Sequence, residues 1–126
     1  MNSLTFSKKI ASIIESKKGY DIKILDLRKL SGIADFFVIC SAEADKQVKA
    51  IADEIDKKLS EQGIKCLHRE GYETLRWVIL DYFDVIVHVF KYDVRDYYGL
   101  EKLWGDAPAI IPESKASATK VKEKKN

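Results

Sequence analysis

Apolar residues recur along the chain with two periods. From Leu4 to Lys18, Phe6, Ile10, Ile13 and Ile14 share one helical stripe, which predicts a short amphipathic helix with Gly19 as its left-handed stop. From Asp45 to Gln62, Val48, Ile51, Ala52, Ile55 and Leu59 return at spacings of three and four, with charged residues elsewhere around the turn. That predicts a second helix, capped by Ser41 or Asp45 and ended by Gly63. A third helix is predicted over Asp93 to Trp104, with Tyr97, Leu100, Leu103 and Trp104 on one side. Gly99 sits inside it at a cost of about 1 kcal/mol relative to Ala.

The shorter runs read as strands. Asp21 to Leu27 is one, Phe36 to Ser41 (FFVICS) a second that is apolar on both faces, and Ile64 to Arg69 a third. RKLSGIAD and Gly71-Tyr72-Glu73 read as loops, and the APAIIP segment is expected to lie against the body. The element order predicts a mixed five-stranded sheet with one crossover and a terminal antiparallel hairpin, an α/β protein, or α+β on a stricter definition.

The hairpin is RWVILDYFDVIVHVF, residues 76–90. If Asp81 to Asp84 form its turn, Leu80 pairs with Val85 and Trp77 falls opposite His88. One face then carries Val78, Leu80, Val85, Val87 and Val89, and the other Trp77, Ile79, Ile86, His88 and Phe90. A sheet apolar on both sides needs cover on both sides. Either three helices share that task, or part of the aromatic face is left for another molecule. In this register His88 lies at least ~10 Å from Asp81 and Asp84, at ~3.4 Å per residue, so a hydrogen-bonded catalytic pair is disfavoured and a satisfied structural histidine expected.

A chain of 126 residues fits one domain, assigned to residues 1–112, and no apolar run approaches the ~20 residues that cross a bilayer. The last fourteen residues hold five lysines against two glutamates and few apolar side chains, so 113–126 reads as a disordered Lys-rich tail. With a net charge of only +2 for the whole chain, the body is close to neutral and lacks the basic face expected of a phosphate-gripping protein. Cys40 and Cys66 lie in apolar runs without a Cys-x-x-Cys pair, which points to buried reduced thiols, and nothing marks the chain for export. A cytoplasmic location fits best.

The six glycines form no phosphate-binding loop, the two histidines stand twenty positions apart without a metal-ligand spacing, and no serine sits in a nucleophile elbow. Glu43-x-Asp45 is the nearest approach to a two-metal carboxylate pair, without the Gly-Ser that would precede it, and acidic residues at a helix start ordinarily serve the helix dipole.

Taken together, ADFFVICSA (34–42), QVKAIADEI (47–55), the Gly71 loop, WVILDYFDVIVHVF (77–90) and RDYYGLEKLWGDAP (95–108) resemble the ribosomal silencing factor, or iojap-like, family over about residues 5 to 110. The resemblance implies a nucleotidyltransferase-like topology without catalytic carboxylates, no cofactor and no metal. It also implies a non-enzymatic translational repressor that binds the large ribosomal subunit through ribosomal protein fourteen and blocks joining of the small subunit when nutrients are scarce. Free members can be homodimers.

Trp77, Asp81, Tyr82 and Asp84 match the family's strand-and-turn motif; Arg95, Tyr97, Tyr98, Leu100, Trp104 and Asp106 match its final helix. Trp77, Asp81, Tyr82, Asp84, Tyr97, Tyr98 and Trp104 are therefore the expected partner-binding residues. The chain departs from the pattern at Phe83, where the family usually has glycine, and at Ala42-Glu43-Ala44, where it usually has Gly-x-Ser. Aromatic anchors with rim carboxylates suit a basic ribosomal protein better than bare RNA, while the Lys-rich tail adds at most a weak contact to ribosomal RNA. The competing reading is a nucleotidyltransferase-like enzyme using Glu43 and Asp45, which rests on fold analogy.

Overall fold

The computed structural model of the protein describes residues 2–30 and 32–112. In chain order the elements are α1 (Ser3–Ser16), β1 (Tyr20–Asp26), β2 (Phe36–Ala42), α2 (Asp45–Ser60), β3 (His68–Glu70) and β4 (Trp77–Asp81). They continue with β5 (Val85–Lys91), α3 (Tyr92–Tyr98), α4 (Leu100–Leu103) and β6 (Ala109–Ile110). The strands form one sheet in the order β3-β4-β5-β2-β1-β6. Only β2 and β5 run parallel, from Phe36 beside Val85 to Ala42 beside Lys91, and α2 lies on the crossover between them.

The long helices cover one face. Ile10 and Ile14 of α1 and Val48, Ile51, Ala52, Ile55 and Leu59 of α2 are fully buried against Val38, Cys40, Val78, Leu80, Val85, Val87 and Val89. Each large aliphatic side chain removed from water there contributes roughly 1.5–3 kcal/mol. A second cluster lies on the opposite face, built on Leu25, Leu27, Phe37, Ile39, Phe90 and Val94, with Trp77, Ile86, Leu100 and Trp104 half-buried around it. β2, buried at all seven positions, separates the two clusters, as its doubly apolar sequence predicts.

Helix α1 is stopped by Lys18, not Gly19: Lys18 has φ 65°, and the N–H groups of Lys18 and Gly19 donate to the carbonyls of Glu15 and Ile14 at 2.9 and 3.0 Å, closing a Schellman motif. Gly19 serves close approach instead, since a Cβ there would meet Ile14 Cγ2 at 2.3 Å. At α2 the N-cap is Ala44, which offers no side-chain hydrogen bond. Asp45 is the first helical residue, and Ser41 is buried in β2.

Gly99, at φ 62°, ends α3 and divides the predicted final helix in two. The expected side of that helix is divided as well: Leu100 and Trp104 pack on the second cluster, while Tyr97 and Leu103 are exposed. The third strand is shorter than predicted and begins at His68. A sixth strand, β6, arises from the APAIIP segment, with Ile110 opposite Ile24 and Ala109 opposite Leu25. Two residues are too few to show a period of two, so the five-strand expectation missed it. Cys40 is buried, and its thiol is pushed up to about 12 by burial, but Cys66 is only half-buried; both are free. The Lys-rich segment 113–126 lies outside the described residues.

Candidate functional site

β4 and β5 pair two residues further along than a four-residue turn would place them. Asp81 stands opposite Ile86, Ile79 opposite His88 and Trp77 opposite Phe90. A shift of two preserves side-chain parity, so the two predicted faces survive while the predicted cross-strand partners do not. Trp77 and His88 become diagonal neighbours.

Around Trp77 the aromatic side chains form a continuous set. Its indole stacks on Phe90 with centroids 4.9 Å apart and planes 24° from parallel, and lies 4.9 Å from Tyr98. Tyr98 meets Tyr97 edge-on at 5.3 Å. On the inner side, Phe37 contacts His88 at 4.5 Å and Trp104 at 5.9 Å. Exposure rises sharply outward: His88 is 4% exposed, Tyr98 51%, Leu103 75% and Tyr97 83%. Helices α3 and α4 are too short to cover this face as α1 and α2 cover the other, so a cluster of large rings reaches solvent.

The backbone beneath Trp77 is held from one side by Gly71. A Cβ at that position would lie 1.9 Å from the Trp77 carbonyl oxygen, and its φ of 92° is open only to glycine. From within the sheet, Trp77 Nε1–H donates to His88 Nδ1 at 3.1 Å. Accepting at Nδ1 requires the neutral tautomer protonated at Nε2, and Nε2 has no partner among the described residues. Burial pushes His88 down to about 3, so it is neutral near pH 7. The histidine is therefore structural but only half satisfied. Among the described residues it has no hydrogen-bonded carboxylate: Asp81 is closer than the four-residue turn implied, yet its Oδ1 accepts the Phe83 N–H at 2.8 Å.

The four residues of the predicted turn separate by role. Tyr82 is only 7% exposed and packs edge-on against Phe6 at 5.8 Å, so its ring belongs to the α1 core and is not presented on the surface. Phe83 and Asp84 are exposed. The Asp84 N–H donates to the Tyr82 carbonyl at 3.0 Å, closing a tight turn around Phe83 at φ 73°. A glycine, which the family usually places here, would adopt that angle without strain. The Asp84 carbonyl accepts the N–H groups of Asp35 and Phe36, tying the hairpin tip to the start of β2.

Arg95 is nearly buried and acts as a brace. Its Nη1 donates to the Asp21 carbonyl at 2.7 Å and to Ser41 Oγ at 2.8 Å, and its Nε donates to Glu101 Oε1 at 2.6 Å. Burial raises the Glu101 carboxyl, but hydrogen bonds from Arg95 and Lys23 outweigh it and hold that group below its usual range. The brace fixes α3 and α4 on the bulged start of β1 and so sets where Tyr97, Tyr98 and Trp104 stand. Asp106 is exposed beyond α4. At the other candidate site, Glu43 accepts the Tyr20 hydroxyl and Asp45 pairs with Lys91 at 3.6 Å. Among the described residues no group of three His, Cys, Asp or Glu side chains could hold a metal ion.

Trp77, Tyr97, Tyr98 and Trp104 thus share one face, with Asp81 on the same side of β4. Phe37, Phe90 and His88 support them. The sequence signal for these three was their alternation with the valines of β2 and β5.

The same mixed α+β fold is found in solved structures of similar proteins. A Chromobacterium violaceum protein of known crystal structure superposes with a TM-score of 0.80 at 39% identity, over 83% of this chain and 88% of that one. A Bacillus halodurans protein does so at 0.75 with 42% identity, over 87% and 99%. The chain belongs to the ribosomal silencing factor family, whose model, described as ribosomal silencing factor during starvation, matches residues 1–126. Among curated relatives, one from Halalkalibacterium halodurans named Ribosomal silencing factor RsfS is 52% identical over 97 residues, 77% of this chain and 83% of that protein. Its namesake from Bacillus subtilis is 48% identical over 108 residues, 86% and 92%. The chloroplastic Protein Iojap of Zea mays is 30% identical over 107 residues, 85% of this chain and 46% of that protein.

Proposed function

We propose that the protein is a non-enzymatic translational repressor that binds the large ribosomal subunit through ribosomal protein fourteen and sterically prevents the small subunit from joining. The observation that carries this reading is the partly exposed Trp77–Tyr98–Tyr97 cluster in a member of a silencing-factor family. Large rings held at low entropic cost are what interface hot spots are made of. Trp77, Tyr97, Tyr98 and the rim of Trp104 supply the affinity, and Asp81 and Asp84 orient a basic partner. Tyr82 contributes through the fold, because its ring is buried.

Mutual exclusion needs no chemistry: free factor at about 100 times its Kd weakens subunit joining roughly 100-fold, about 2.7 kcal/mol. Sedimentation of purified subunits with added protein tests it. Loss of joined ribosomes in proportion to factor occupancy is expected, and undiminished joining at saturation contradicts the reading.

A further inference from the structure

Position 88 is lined by Phe37, Phe90 and the strand neighbours Ile39 and Ile79, a site in which an aliphatic side chain would pack without a polar cost. The chain instead buries an imidazole there, whose Nε2 has no partner among the described residues. The other ring nitrogen has a single use, accepting the Trp77 indole N–H at 3.1 Å. Stability alone does not require that bond. Trp77 is half-buried at the border of the second cluster, and an indole N–H turned outward is satisfied by water.

What the bond does is fix the indole about its side-chain torsions. Phe90 stacks on the ring, with planes 24° apart, and Tyr98 meets it at a 42° tilt; such contacts let a ring slide in its plane, and a hydrogen bond at one ring edge removes that freedom. With Gly71 admitting the loop against the Trp77 backbone, both main chain and ring are set before any partner arrives.

We infer that His88 is the positioning residue of the partner-binding face, accepting the Trp77 indole N–H to lock the ring in its binding orientation. The inference rests on Trp77 being a partner contact, as proposed above. It assigns no chemistry to His88.

The test is a double-mutant cycle on the full chain, reading affinity for purified large ribosomal subunits alongside the indole N–H resonance and hydrogen exchange of Trp77. Trp77→Phe keeps a stacking ring and deletes the donor. His88→Leu deletes the acceptor. His88→Asn restores one close to the position of Nδ1. Expected are a loss of affinity of about tenfold for Trp77→Phe and for His88→Leu, no further loss when the two are combined, and recovery in His88→Asn with the indole N–H again protected. Additive losses in the combined variant, or wild-type affinity in a folded His88→Leu whose indole N–H exchanges freely, overturn the inference. Trp77→Ala separates the two levels. If it binds normally, the contact reading itself fails; if it binds weakly while His88→Leu binds normally, only the positioning role fails.

Discussion

The two faces of the sheet are both apolar, yet they are built for different ends. Under α1 and α2 the side chains are mostly aliphatic and fully buried, from Ile10 and Ile14 through Ile51, Ile55 and Leu59 to the valines of β5, with the rings of Phe36 and Tyr82 buried among them. Under α3 and α4 large rings stand beside the aliphatic Leu25, Leu27, Ile39 and Val94, and burial falls away along the rings from Phe90 to Trp77 to Tyr98 to Tyr97. Aliphatic interdigitation fills space and fixes the fold. Flat rings with polar tips remain soluble when exposed and offer large contact areas that cost little entropy to immobilise. The difference follows from helix length: α2 has 16 residues, whereas α3 has 7 and α4 has 4.

If that division holds, damage to the faces has separable consequences. The largest effect is expected at Ile55→Ala on the closed face, which should cost about 3 kcal/mol of stability by denaturant unfolding and leave the affinity of the folded fraction unchanged. Trp77→Ala reverses the pattern: a loss of about 2 kcal/mol or more in binding to the large subunit, measured by equilibrium titration, with a smaller change in Tm.

The aromatic face also carries an acid-sensitive group. Folding lowers the pKa of His88 to about 3 by burial. The unfolded chain therefore takes up that proton first, and the stability it contributes is complete above about pH 6.5 and is lost as pH falls towards 3. By pH 5 the loss is about 2 kcal/mol. Denaturation curves at pH 7 and pH 5 should show it, and His88→Asn should flatten it. Asp26, held low chiefly by its hydrogen bond from Arg28, and Glu101, held low by Arg95 and Lys23, lose their contributions as pH falls through and below the ordinary carboxylate range, later than His88 begins to lose its own.

The smallest effects lie where neither face is involved. Phe83→Gly should stabilise by about 1 kcal/mol, because φ 73° strains a residue with a Cβ and the Phe83 ring is largely exposed. Ala44→Ser should add about 1 kcal/mol by supplying the N-cap acceptor that α2 lacks. Thermal unfolding of each variant checks both.

Much of the two-faced design was legible in the chain. A period of two separates Val78, Leu80, Val85, Val87 and Val89 from Trp77, Ile79, Ile86, His88 and Phe90, and parity is insensitive to a two-residue error in the turn. Register is not: a turn taken as four residues set Trp77 directly opposite His88, whereas Phe83 and Asp84 alone make the turn and the two residues are diagonal neighbours. Tyr82 was misplaced for a related reason, since β4 continues its alternation through Asp81 and carries the tyrosine into the core. The Arg95 brace joins residues 54 and 74 positions apart, beyond the reach of local periodicity. The break at Gly99 depended on whether a tolerable cost inside a helix or a left-handed stop prevailed, and the short packing surface of α3 chose the stop.

Hydrogen exchange of the full chain, alone and bound to large ribosomal subunits, tests the division of labour most directly. Protection on binding is predicted over residues 76–81 and 92–106, with the solvent faces of α1 and α2 unchanged. Protection confined to α1 and α2, with none around Trp77 and Tyr98, would contradict it.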